Sequence, residues 1–170
     1  DEAITNYNRV IELKPTVGAY RGLGIVYSEI GASENATDAF ENALDMDTSI
    51  IEGGNYSWGM HSKYYSRGLT YYAMQDYDKA ISDFDKAIES KSDYAEAYRD
   101  LGKAYLGIGD KAKANDAFET AIRLFEEQGN SYVAEQVKEL LGLMSAESIQ
   151  KHIMACTIAP VDVCSEYQCL

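Results

Sequence analysis

The sequence predicts an all-α chain built from repeated pairs of helices, and three observations carry that expectation. Proline is scarce, with two in 170 residues, while Ala, Leu, Glu and Lys are common. A string of seven spaced residues recurs in three copies. Two of those copies lie 34 residues apart, Phe84 to Phe118, the length of two helices and their turns. The 46% hydrophobic content is ordinary for a globular protein, so the chain can bury a core.

The repeated string has two halves. The first reads Tyr20-x2-Leu23-Gly24-x2-Tyr27, then Tyr64-x2-Arg67-Gly68-x2-Tyr71, then Tyr98-x2-Leu101-Gly102-x2-Tyr105. The second reads Ala36-x3-Phe40-x2-Ala43, Ala80-x3-Phe84-x2-Ala87 and Ala114-x3-Phe118-x2-Ala121, with a weaker copy at Ala3, Tyr7 and Val10. Both halves place apolar residues at helical spacing. Glycine inside a helix costs about 1 kcal/mol against alanine, so Gly24, Gly68 and Gly102 at one repeat position imply a steric reason. Small residues let paired helices approach, and the aromatics between them fill the remaining space. Gly31 and Gly109 fall where a first helix must stop, as expected of a left-handed terminating residue. Gln75-Asp76 holds that place in the middle copy, so a different turn is expected there.

These strings resemble the tetratricopeptide repeat, a pair of antiparallel helices, over about residues 1–128. The resemblance implies a right-handed α-α superhelix of about three and a half repeats plus a C-terminal capping helix. Its boundaries are a half-repeat at 1–16, repeats at 17–50, 61–94 and 95–128, an insertion at 51–60 and a cap at 131–144. Together these make one domain over 1–144, followed by a helix or tail at 145–170. The cap is expected to face the stack with Val133, Val137, Leu140 and Leu141. Because the chain opens on a second helix, it reads as part of a longer array or larger protein. Arg67 replaces the usual leucine, so either its head snorkels outward over an apolar stem or the second repeat packs loosely.

Catalytic motifs are missing from the repeat body. It holds one histidine, His61, and no cysteine, so Cys–His nucleophilic chemistry has no materials there. Gly107-x-Gly109-x-x-Ala112 resembles a loose dinucleotide fingerprint but follows no strand. Asp76, Asp78, Asp83 and Asp85 recur between lysines at helical spacing, which reads as a solvated face. The expectation is a protein without catalysis and without cofactor. In the tail, His152, Cys156, Cys164 and Cys169 are weak candidates for metal ligation: four soft ligands at irregular spacing, with a disulfide or free thiols as the alternatives.

The resemblance also implies a concave wall made by the first helices, facing a peptide or protein segment. Carried over position by position, its residues include Arg21, Ile25, Tyr65, Leu69, Tyr72, Arg99, Lys103 and Leu106. Arg99 and Lys103 form a cationic end suited to an acidic feature, and Tyr65 and Leu69 offer apolar anchorage. Relatives that grip the acidic C-termini of Hsp70 and Hsp90 chaperones pair cations with asparagines. Here Ile25 and Leu69 stand where those asparagines belong. The functional expectation is a protein-interaction scaffold. A co-chaperone or assembly factor, and a regulatory module cut from a larger enzyme, are the alternatives, and self-association through the half-repeat or tail is a third. Trp58 in the insertion either touches a partner or covers the edge of the second repeat.

A net charge of −13 argues against sequence-independent nucleic-acid binding, which needs positive charge to displace counterions. No apolar run approaches a spanning helix, and Asp1–Asn6 lacks a signal-peptide layout, which reads as a cytoplasmic protein. Acidic residues such as Glu34, Asp38, Glu41 and Asp45 are placed on second helices, hence on the outer wall.

Overall fold

The computed structural model describes residues 2–53 and 59–142, and those residues form helices joined by short turns. The order is α1 (Glu2–Leu13), α2 (Val17–Glu29), α3 (Ser33–Glu52), α4 (Met60–Ala73), α5 (Tyr77–Ser90), α6 (Ala95–Gly107) and α7 (Lys111–Glu127). Residues 131–142 are helical as well and are called α8. Helices α2 with α3, α4 with α5 and α6 with α7 form the tightest pairs. Each pair packs on the next through α3 with α4 and α5 with α6. The first helices also touch one another, α2 with α4 and α4 with α6, so they line one wall of the helical-repeat superhelix.

The repeated glycines are where the paired helices meet. A Cβ on Gly24 would lie 2.6 Å from the Phe40 ring, one on Gly68 2.8 Å from Phe84, and one on Gly102 2.7 Å from Phe118. Real Cβ atoms do not approach that closely, so each pair closes ring on backbone. Ala43, Ala80, Ala87, Ala114 and Ala121, together with Phe84 and Phe118, are fully buried around these contacts. The half-repeat follows the same logic: Tyr7 of α1 lies against Gly22 of α2.

The turns inside the pairs share one geometry. Gly31 and Gly109 have φ of 77° and 82°, and Gly129 repeats this after α7 with 77°. In each, the left-handed residue donates its N–H three residues back and the next residue donates five back, as in Gly109 to Leu106 and Asp110 to Tyr105. The middle repeat departs from expectation here. Its turn is built the same way, with Gln75 N–H on Tyr72 and Asp76 N–H on Tyr71, and Gln75 itself adopts φ 62°. The hydrogen-bond pattern fixes the backbone, and glutamine bears the strain that glycine avoids elsewhere. The following residue then caps the next helix: Asp76 accepts from Lys79 N–H at 3.3 Å, and Asp110 from Lys113 N–H at 3.1 Å.

Two boundaries shift. Helix α3 runs on to Glu52, into the segment expected to be an insertion, and α4 begins at Met60. Trp58 lies outside the described residues, as do 143–144 of the expected cap and the whole tail with His152, Cys156, Cys164 and Cys169. In α8, Val137 and Ala134 are buried against Phe118 and Phe125, with Val133 and Leu141 partly buried beside them. Leu140 is 37% exposed and does not face the stack as expected; Ala134 occupies that side of the helix.

One member of the acidic face expected to be solvated is corrected, while Asp78 and Asp85 are exposed. Asp83 is 2% exposed, and Arg67 grips it with both ends of its guanidinium fork, Nε at 2.6 Å and Nη2 at 2.8 Å. Neither expectation for Arg67 holds: its side chain is only 15% exposed and turns inward onto this carboxylate. The register explains the pair. Sixteen residues after Leu23 stands Ala39, and sixteen after Leu101 stands Ala117, both alanines buried. The same two positions in the middle repeat hold Arg67 and Asp83. One apolar pair has been replaced by one ion pair.

Candidate functional site

Two polar clusters that the sequence reading had not assembled lie on or beside the wall of first helices. The first centres on Asp100 of α6, which is 5% exposed. Arg99 reaches it with Nε at 3.1 Å and Nη2 at 2.9 Å, and Lys103 Nζ with 2.8 Å. From α4 of the preceding repeat, the Tyr65 hydroxyl donates to its Oδ2 at 2.7 Å. Burial by itself would raise the Asp100 pKa. The hydrogen bonds and charges of Arg99 and Lys103 outweigh it and hold the carboxyl below its ordinary range. Tyr65 is pushed up, by burial first and then by the charge and hydrogen bond of Asp100, so its proton stays on the phenol. Around Tyr65 lies an aromatic group: Tyr94 at 4.9 Å between ring centroids and Phe84 at 5.8 Å, with His61 edge-on to Tyr94 at 5.3 Å.

The second cluster joins the first two repeats. Arg21 Nη1 donates to the Ser66 backbone carbonyl at 3.1 Å, across from α2 to α4. Asp47, on α3, is 1% exposed, and its Oδ2 has no hydrogen-bond partner. Burial pushes its pKa up, against the opposing pull of the Ser66 hydroxyl and of Arg21, Lys63 and Arg67. Burial likewise lowers the pKa of Arg21, partly offset by Asp47.

Thus Tyr65, Arg99 and Lys103 come together, whereas Arg21 sits at a different cluster. Leu69 and Tyr72 pack with Tyr65 against the core of the middle repeat, and Tyr72 meets Tyr77 at 5.5 Å. Leu106 leans on the core of the last repeat, while Ile25 is 39% exposed on α2. The residue that the reading missed is Asp100, although Arg99-Asp100-x2-Lys103 places a cation on either side of it within one helical turn. Asp47 stands in the register of Phe125, 78 residues on, which marks an apolar position but not a partner for the charge.

Stacked helix pairs whose first helices form one continuous wall, studded with side chains from successive pairs, define a helical-repeat scaffold for protein interaction. More particularly, residues 59–127 match the family described as Tetratricopeptide repeat. A solved structure described as "Crystal structure of MamA protein" is 29% identical, with 75% of this chain and 65% of that chain covered, at a TM-score of 0.44. This chain therefore spans about two thirds of that protein's length, 65%. Another, "Crystal structure of MamA", is 24% identical over 85% of this chain and 88% of its own, with a TM-score of 0.41. No curated protein matches the sequence. Among the described residues, no helix is long and apolar enough to cross a membrane.

Proposed function

We propose that the chain is a non-catalytic scaffold that holds a peptide or protein segment against the wall formed by α2, α4 and α6. The observation that carries this reading is the pair Arg99 and Lys103. Both present a quarter to a third of their side chain to solvent, 26% and 35%, on a chain whose net charge is −13. A cationic spot on an anionic molecule attracts the acidic feature of a partner and orients it. Leu69, Tyr72 and the aromatic group around Tyr65 lie on the same wall and supply apolar contact for the segment that follows. The anion-gripping arrangement of chaperone-binding relatives is incomplete here, because Ile25 and Leu69 replace amides that would hold a peptide backbone.

The test is a peptide array probed with purified protein and with the double variant R99E/K103E. Acidic peptides that bind the parent should lose at least about tenfold in affinity, since a desolvated charge-assisted contact is worth roughly 1.5–3 kcal/mol. Equal binding by both proteins would show that the partner uses another face.

A further inference from the structure

Asp100 changes what the cationic end can accept. Its carboxylate takes three donors from Arg99 and Lys103 and a fourth from the Tyr65 hydroxyl. It is 5% exposed and tied to two successive repeats, so it cannot swing out of the way when a ligand arrives. The contacting charges of Arg99, Lys103 and Asp100 leave one positive charge at this spot. Glu96, one turn earlier on α6, lies within electrostatic reach of Arg99 and lowers the local potential further. Donor capacity nevertheless remains. Arg99 commits Nε and Nη2 to Asp100, and Lys103 commits one of its three N–H bonds, so Arg99 Nη1 and the rest of the ammonium can serve a second acceptor.

From this geometry we infer that Asp100 is a built-in counter-carboxylate that tunes the groove to a partner bearing one acidic group, not an acidic run. The first ligand carboxylate meets a net positive charge and unfilled donors. A second meets a balanced cluster next to Asp100 and Glu96, within the field of a strongly anionic chain, and gains nothing. The inference rests on the groove reading above and adds the ligand's charge to it.

The experiment uses fluorescent twelve-residue peptides with a fixed frame of Leu, Tyr, Ser and Gly and zero, one, two or three consecutive central glutamates. Binding is measured by anisotropy to the parent protein, D100N and R99E/K103E. For the parent, the first glutamate should tighten binding about tenfold and the second should change it less than about threefold. For D100N, whose cation pair is no longer neutralised, the second glutamate should bring about a further tenfold gain. Equal stepwise gains in parent and D100N would overturn the inference while leaving the groove reading intact. Binding in R99E/K103E that equals the parent across the series, or no binding to any peptide, would overturn the groove reading itself. Should D100N fail to fold by circular dichroism, the parent series decides alone: continued gain beyond one glutamate sinks the proposal, and a plateau at one supports it.

Discussion

Replacing Arg67 and Asp83 by the residues of the neighbouring repeats tests how this core accommodates charge. R67L leaves Asp83 at 2% exposure with Lys86 Nζ at 3.5 Å as its remaining cation, on a side chain 46% exposed. Breaking a buried pair from one side costs about 3–5 kcal/mol, and the exposed lysine recovers part of that, so about 2–3 kcal/mol is expected. D83A is milder, about 1–2 kcal/mol. It removes two charge-assisted bonds, but the Arg67 head can reach water past Tyr64, which it already overlies at 5.9 Å. The double variant R67L/D83A restores the Leu–Ala pair of the first and third repeats and should fall within about 1 kcal/mol of the parent or exceed it. The coupling between the two sites is then at least about 2 kcal/mol. Urea and thermal unfolding followed by circular dichroism would read these differences, with R67L lowering the midpoint by roughly 5–10 °C for a domain of this size. Additive single effects, or a double variant as unstable as R67L, would refute the view that one pair substitutes for the other.

Three more outcomes follow from the same contacts. Q75G should stabilise by about 0.5–1 kcal/mol, because removing left-handed strain of about 1–2 kcal/mol outweighs the added flexibility of the unfolded chain; unchanged urea midpoints would contradict it. G102A should destabilise by about 1–2 kcal/mol despite better helix propensity, since the new methyl would sit 2.7 Å from the Phe118 ring; a stabilised variant would mean that the ring can retreat. Asp47 has a raised folded pKa caused chiefly by burial, so its contribution to stability is present below the unfolded carboxyl value of about 3.9 and is lost as pH rises toward neutrality. D47N should therefore be more stable than the parent at pH 7, with the difference closing toward pH 4. A gap that widens on acidification would reverse the sign and the reasoning.

The helix pairs were readable because their closure depends on residue size. Gly24, Gly68 and Gly102 opposite Phe40, Phe84 and Phe118 leave one geometry in which ring meets backbone, and the same residue types mark it in every copy. Charged positions were harder. Asp83 sits among lysines on an amphipathic helix, so spacing alone assigns it to water. Its repeat equivalents Ala39 and Ala117 are buried, and it departs from them in the same copy where Arg67 departs from leucine. Comparing those two departures would have revealed the pair. Asp100 lies where the other copies carry Gly22 and Ser66, small residues that say little about what fills the space. Its partners come from two repeats, and which hydroxyl of the tyrosine-rich α4 reaches it is decided by stacking. Asp47 stands 78 residues before Phe125, the spacing of Phe40 to Phe118, and both are buried; the repeat register marks that position as core, but not the charge that fills it.

The two ion clusters have different fates if repeats are duplicated or exchanged. Arg67 and Asp83 belong to one repeat, so any copy of that unit carries its pair along and folds with it wherever it is inserted. The Asp100 hub straddles a seam, with Tyr65 in one unit and the carboxylate in the next. A new unit spliced between them would leave Asp100 its bonds from Arg99 and Lys103, which share its helix, and take away the Tyr65 hydroxyl. Duplicating the last repeat would copy the cation pair and its carboxylate but would put Arg99, the register equivalent of Tyr65, at the new seam, so the hub is complete only in the native order of repeats.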